Sequence, residues 1–310
     1  MEAPEPKPNE ATADQAEPEG LLYHYTDQAG LSGILKDDSI RATHYRFLND
    51  TSERRCALDF LETTLRQLGS KERGAYPSSL LERTVESMNE TFQRFDAYFV
   101  SFTQDWREPK TEGDRLSQWR GYSSSGPGFS LGFQKSRLMN TLQNLMNRPG
   151  QRLLTNLRPC VYCDQEKTEK AREVLQSYVH AFTQSACSQS PTPDNKDRTN
   201  LAIARIKFID FCTQFKHYSF REEEEMRISV YFADEISNLD CIKFRDGKFG
   251  QIPYIEVPLG LREEESPLRR IFVGPSPNKD QAVVSSKIVL AQMGIKGIDV
   301  VPSQIPYRNW

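Results

Sequence analysis

The sequence predicts an α+β fold: a mostly antiparallel central β core with flanking helices and a helical insertion at about residues 165–217. Two observations carry this. Segments rich in β-branched and aromatic residues mix with segments of helical periodicity, without the regular strand–helix–strand alternation of a doubly wound parallel sheet. The glycine-rich Rossmann and P-loop phosphate signatures are also absent from the sequence, so any nucleotide must be held in another way.

The elements follow in order. Leu21-Leu22-Tyr23-His24-Tyr25 is a short aliphatic and aromatic strand. A helix starts near Thr26 or Asp27, with Thr26 as a plausible cap and Leu31, Ile34 and Leu35 at helical spacing. Ser39–Thr43 is a strand, and the polar turn Asn49-Asp50-Thr51-Ser52 leads into a helix bearing Cys56, Leu58, Phe60, Leu61 and Leu65. A further helix covers 80–95, Tyr98–Phe102 is a strand, and 103–118 is a polar surface loop. Gly128–Phe133 is a strand before a helix at about 135–147, and Val161-Tyr162 marks another strand. Helices at 166–186 and 198–217 are joined by the Ser/Pro/Asp-rich stretch 188–197. Strands near 226–233, 252–257 and 269–273 precede a helix around 279–293 that ends at Gly294, and Gly297–Val301 is a short final strand.

Composition narrows the function classes. The 17 Phe, 12 Tyr and 3 Trp supply a sizeable core, and a formal net charge of −3 gives no general pull toward nucleic acid or anionic membrane. No apolar run approaches the roughly 20 residues needed to span a bilayer. Residues 1–20 are rich in Pro, Glu and Ala and read as a disordered leader before one domain, 21–310. They lack the basic start and apolar centre of a secretory signal, so a cytoplasmic protein without membrane contact is expected. Cys56, Cys160, Cys163, Cys187, Cys212 and Cys241 suit reduced thiols. The lone Cys160-x-x-Cys163 has no second pair to complete a structural zinc site.

Two motifs carry chemistry. His24-Tyr25-Thr26 lies on the first strand, and Arg221-Glu222-Glu223-Glu224-Glu225-Met226-Arg227 leads into the strand Ile228–Phe232. A histidine on one strand and an alternating Glu-x-Glu entering another can converge on one cleft, hold ribose hydroxyls and steady a developing positive charge. Those are the demands of breaking an N-glycosidic bond. Glu225 is the candidate that stabilises the oxocarbenium. Glu223, two residues earlier on a strand, faces the same side and would activate an acceptor. Arg227 shares that parity, so a buried Glu–Arg network is the competing structural reading. His24 has one too, a strand histidine satisfied among Tyr23 and Tyr25.

A wider set of landmarks accompanies these motifs. Tyr23-His24-Tyr25-Thr26 is followed by Leu31 and Ile34-Leu35, then Leu48-Asn49-Asp50 with Glu53, then Ser101-Phe102-Thr103. Trp119 with Tyr122, Gly128 through Phe133, Glu223-x-Glu225-x-Arg227 and Ser303-Gln304-Ile305-Pro306-Tyr307-Arg308 complete it. Together, over roughly 21–308, they resemble the bacterial domain-of-unknown-function 2971 family. That layout is similar, at the level of fold and motif, to the His-Tyr-Glu type ADP-ribosyltransferase superfamily, which binds NAD in a split, largely antiparallel β core. The chain departs from the pattern in lacking a histidine near Gly126 and in the length of the insertion at 165–217.

The resemblance implies an NAD-dependent ADP-ribosyltransferase or NAD glycohydrolase, with NAD as co-substrate and a protein or nucleic acid as acceptor. It also implies an effector role as a toxin or anti-phage defence protein, with an antitoxin or other partner. His24 would bond the adenosine ribose and orient NAD. Tyr25 or Tyr122 would stack on nicotinamide, with Trp119 as a wall. Ser101 and Thr103 would touch ribose or phosphate, and Arg308 would clamp the pyrophosphate or else anchor the C-terminus. Asn49, Asp50 and Glu53 read as a turn with a helix cap, or as a lip of the site. Two alternatives stay open: a non-enzymatic module sensing a nucleotide or a protein, and a metal-dependent nuclease using Asp50, Glu53 and Glu225. The leading reading expects no metal.

Overall fold

The computed structural model of the chain describes residues 20–48, 53–71, 77–104, 113–122, 128–147, 153–187, 195–232, 239–248 and 250–306. Its strands are β1 (Leu21–Thr26), β2 (Ser39–His44), β3 (Ala97–Gln104), β4 (Phe129–Gln134), β5 (Leu153–Pro159), β6 (Glu225–Phe232), β7 (Ile242–Gly247), β8 (Gly250–Pro258), β9 (Leu268–Val273) and β10 (Asp299–Pro302). Its helices are α1 (Gln28–Asp37), α2 (Glu53–Lys71), α3 (Ser78–Arg94), α4 (Leu116–Tyr122), α5 (Lys135–Met146), α6 (Asp164–Cys187), α7 (Asn195–Gln214) and α8 (Lys279–Gln292).

The fold is mixed α and β around an open, mostly antiparallel sheet. Strands run in the order β10-β9-β4-β1-β3-β2-β8-β7, with β6 also on β3 and β5 on β6. Only the β9–β10 pair is parallel among these ladders. The feature that positions the site is at β3. Strand β6 occupies one edge of β3 from Ala97 to Thr103, so β1 and β2 must share the other edge. There β1 pairs at Thr103 and Gln104, and β2 at Tyr98 and Phe99. Between those two short ladders the sheet forks, and α1 bridges the fork from the end of β1 to the start of β2.

Side-chain alternation sorts the two faces. Leu22, Tyr98, Val100, Phe102, Met226 and Ile228 lie in the main core, against Leu31, Ile34 and Leu35 of α1, Leu138, Leu142 and Leu145 of α5, and Leu290 of α8. The opposite face carries Ala97, Phe99 and Tyr231, and elsewhere Tyr23 and Tyr25 against Trp119. A second core joins α2, α3, α6 and α7 through Leu58, Leu61, Met88, Val174, Tyr178 and Phe208. The helical segment expected at 165–217 thus shares its core with two earlier helices.

Several expectations need correction. The α1 cap is Asp27, whose Oδ1 accepts from Gly30 N at 2.7 Å, because Thr26 still belongs to β1. The strand expected at Val161-Tyr162 reduces to one bridge between Val161 and Phe215, while β5 lies just before it. Helix α4 begins at Leu116, inside the stretch read as a loop to residue 118, and runs past its end to Tyr122. The hairpin partner β7, paired to β8 from Ile242 to Gly247, was not anticipated. The turn at 49–52 and the leader lie outside the described residues.

Candidate functional site

The fork brings together residues far apart in sequence. In β3 the amide of Gln104 donates to Glu224 O on the β6 side, so the backbone groups of Ser101, three residues away, point toward the fork. With neither β1 nor β2 paired at this level, the carbonyl of Ser101 needs a donor, and His24 Nδ1 supplies it at 3.0 Å. A carbonyl only accepts, so Nδ1 carries the imidazole proton. Burial lowers the His24 pKa, with the hydrogen bond to Ser101 only partly opposing, and the ring is neutral at neutral pH. Its Nε2 is then a lone-pair acceptor, with no partner among the described residues.

Ser101 links this histidine to Glu225. Its hydroxyl donates to Glu225 Oε1 at 2.5 Å, so the Oγ lone pairs are left to accept from elsewhere. The pairing of β3 with β6 sets Ser101 beside Arg227 and Thr103 beside Glu225 on one face. The sequence-predicted residues Ser101, Thr103 and Glu225 therefore share one face of β3 and β6, while His24, which alternates onto the Leu22 and Phe102 side, joins this polar belt at the backbone carbonyl of Ser101.

Glu225 is 3 % exposed and its carboxylate is saturated. Arg227 donates from Nε to Oε1 at 2.8 Å and from Nη2 to Oε2 at 3.0 Å, and Lys216 Nζ also donates to Oε2. Burial alone raises the Glu225 pKa, but Arg227 and Lys216 outweigh it and hold the carboxyl well below the usual carboxylate range. Arg227 further donates from Nη1 to Glu53 Oε2 and to Thr213 O, each at 3.0 Å. Glu53, at the first position of α2, is pushed upward by burial, which Arg227 only partly offsets. The buried Glu–Arg network anticipated as the competing reading is thus present, and its second cation, Lys216, had no signal in the sequence.

Glu223 reaches the same cluster by a different route from the one expected. It ends a 3-10 turn (Tyr218–Glu223) and is not a strand residue, so strand parity does not apply to it. The intervening Glu224 adopts the left-handed conformation (φ 41°), unusual for a residue with a side chain. That reversal lets Glu223 and Glu225 both accept from Lys216 Nζ. Arg115 holds the turn, donating to Glu224 Oε2 at 2.7 Å and to Glu222 O at 3.0 Å. The neighbouring Asp114 accepts from Trp119 Nε1 (2.7 Å), Ser303 Oγ (2.6 Å) and the Gln304 amide (2.9 Å), tying the C-terminal strand exit to α4. Tyr25 stands edge-on to Trp119 at 4.9 Å, and its hydroxyl accepts from the Arg115 amide at 3.3 Å.

Two cavities flank the belt. One, of about 580 Å³, fills the fork and is lined by His24, Tyr25, Thr26, Ser101, Phe47 and Arg245 among others. The other, about 960 Å³, lies on the Glu225 side, with Arg115, Glu224, Tyr162, Tyr218 and Arg221 in its walls. Glu225 faces the second directly and the first through Ser101.

Other predicted residues stand apart. Tyr122 is the last residue of α4, and its side chain lies outside the described residues, as do Asn49, Asp50 and Arg308. Arg227 bonds both Glu53 and Glu225, so a guanidinium stands between the two carboxylates that a nuclease metal would have to bridge. Among the described residues no group of three or more His, Cys, Asp or Glu is placed to hold a metal. Cys160 is buried, which pushes its thiol up, and Cys163 is exposed. No described helix is long and apolar enough to cross a membrane.

Fold and site together define a mixed α/β protein whose open, mostly antiparallel sheet forks around a polar belt. Residues 118–228 match the family described as protein of unknown function (DUF2971), the family the sequence landmarks resemble. That span runs from α4 to just past Arg227, so it contains Lys216, Glu225 and Arg227 and excludes His24 and Ser101. No curated protein and no solved structure matches the chain.

Proposed function

We propose that this chain is an ADP-ribosyltransferase-like protein that holds NAD in the fork and cleaves its nicotinamide–ribose bond, passing ADP-ribose to an acceptor or to water. The observation that carries the reading is the chain His24–Ser101–Glu225. It leaves two acceptors on residues that line the fork cavity, His24 Nε2 and Ser101 Oγ, open to donors such as the hydroxyls of a ribose. When the glycosidic bond breaks, its electron pair neutralises the pyridinium nitrogen and nicotinamide leaves. Positive charge then grows at the ribose carbon, until an acceptor adds there and gives up its proton. An ionised Glu225 behind Ser101 supplies negative charge near that point and fixes the direction of the Ser101 proton. Glu223, held on Lys216, is the second carboxylate, in the role of activating the acceptor.

One observation favours a second reading, a non-enzymatic nucleotide-sensing module on the same fold. Arg227 and Lys216 neutralise much of the Glu225 charge, which weakens its hold on a developing cation. Nicotinamide release from NAD by the full chain separates the two. The transferase reading expects release that falls on the order of 10²-fold in Ser101→Ala, the scale of losing one preorganised polar contact. NAD binding without nicotinamide release by the wild type would favour the sensing module.

A further inference from the structure

The fork cavity contains a cation that the residues discussed so far do not use. Arg245 sits on β7, at the far edge of the sheet, and reaches a cavity lined mostly by β1, α1, β2 and β3, with Phe47 and Leu48 just after β2 and Gly121 of α4. Its hairpin neighbours are engaged: Lys243 with Glu256 at 2.6 Å, and Asp246 with Gln251 at 2.6 Å. Arg245 makes no hydrogen bond or ion pair among the described residues, although it is half-buried.

The other charged groups lining the cavity are committed. Asp27 caps α1 through Gly30 N, while Arg41 pairs with Asp37 at 3.1 Å and lies 5.0 Å over the Tyr254 ring. His24 is neutral. Among the charged side chains lining the cavity, Arg245 is therefore the one without a hydrogen-bond or ion-pair partner among the described residues, and its guanidinium is a planar fork of donors suited to phosphate oxygens. Phe47 lines the same cavity and is 46 % exposed, an aromatic face open to a base. Hydroxyl acceptors at His24 and Ser101, a guanidinium and an exposed ring are the complement of a sugar, a phosphate and a base.

We infer that Arg245 is the phosphate-binding residue of the fork cavity, so that the cavity selects a phosphorylated nucleoside over the free nucleoside. This deepens the nucleotide reading above and rests on it for the ribose contacts. The Arg245 side chain carries no internal ion pair, so Arg245→Gln should fold normally, which its melting curve would verify.

The test is calorimetric titration of the full chain with adenosine, ADP and inorganic pyrophosphate, in wild type, Arg245→Gln and Arg245→Lys. ADP should bind the wild type more tightly than adenosine. Arg245→Gln should weaken ADP by about 10- to 100-fold, the scale of a lost charge-assisted hydrogen bond, and leave adenosine unchanged. Arg245→Lys should restore part of the loss. Equal affinity for adenosine and ADP in the wild type, no ADP loss in Arg245→Gln, or no binding of any of the three would overturn the assignment. Arg245-dependent pyrophosphate binding without binding of adenosine or NAD would support the phosphate site while refuting the NAD reading. NAD cleavage with unchanged ADP affinity in Arg245→Gln would do the reverse.

Discussion

Replacing Glu225 by Gln is a near-isosteric change, yet the structure argues that it is not a silent one. The carboxylate accepts from Ser101 Oγ at 2.5 Å, Arg227 Nε at 2.8 Å, Arg227 Nη2 at 3.0 Å and Lys216 Nζ. An amide offers one acceptor oxygen in place of two, and its NH₂ group would face a donor. Removing one partner of a buried ion pair typically costs about 3–5 kcal/mol. Here Arg227 keeps Glu53 and Lys216 keeps Glu223, so neither cation is left bare. The expected cost is therefore near the lower bound, about 3 kcal/mol. For a chain of this length that is a fall in melting temperature of roughly 6 °C, at about 2 °C per kcal/mol. The assay is thermal unfolding of wild type, Glu225→Gln, Lys216→Met and the double variant. A double-mutant cycle should show the two losses to be strongly non-additive. A melting temperature unchanged in Glu225→Gln, or additive losses, would refute the claim that this network holds β6 against α2 and α7. Any loss of turnover in Glu225→Gln has to be judged against this structural cost.

Three further outcomes follow from the same geometry. Asp114→Ala should free the segment after β10 by removing the acceptor for Trp119, Ser303 and Gln304, at a cost of about 3 kcal/mol; amide exchange at Gln304 and Ile305 should accelerate, and unchanged exchange would count against the latch. Because the folded Glu225 pKa is depressed, its stabilisation is full above about pH 4.5, the ordinary glutamate range, and is lost as pH falls toward the folded value. Wild type and Glu225→Gln should thus converge in stability on acidification, and parallel curves down to about pH 3 would contradict the assignment. Ligand binding through neutral His24 should be flat from about pH 8 to 6.5 and weaken only below that, since its folded pKa lies under the ordinary value of about 6.5. A titration midpoint above pH 7 would exclude the neutral-acceptor role.

Much of this arrangement was legible in the sequence where the pattern is local. Tyr98–Phe102 and Ile228–Phe232 are dense in aromatic and β-branched residues, and both are strands. The helix 279–293 has Gly294 beyond its end, at φ 71°, as its stop. What failed lacks such local marking. Leu153–Pro159 has no clean alternation because its partner is β6 alone, at the sheet margin. The hairpin of β7 and β8 did carry a usable signal, Asp246-Gly247 followed by Gly250, between segments of strand-like residues. At the site, His24, Ser101 and Glu225 were visible as motif residues, but their order across β1, β3 and β6 is a matter of sheet topology. Lys216 and Arg115 carry no sequence mark at all: each is ordinary until the left-handed turn at Glu224 and the fork at β3 bring carboxylates to them.

The central claim, that NAD occupies the fork against His24, is tested most directly by thermal denaturation of the full chain with and without NAD. A ligand at one hundred times its Kd that binds only the folded state adds about 2.7 kcal/mol. Wild type should therefore melt at a clearly higher temperature in NAD, and His24→Ala, folded but lacking the Nε2 acceptor, should show most of that rise abolished. A folded wild-type protein whose melting temperature does not move in millimolar NAD would contradict the account.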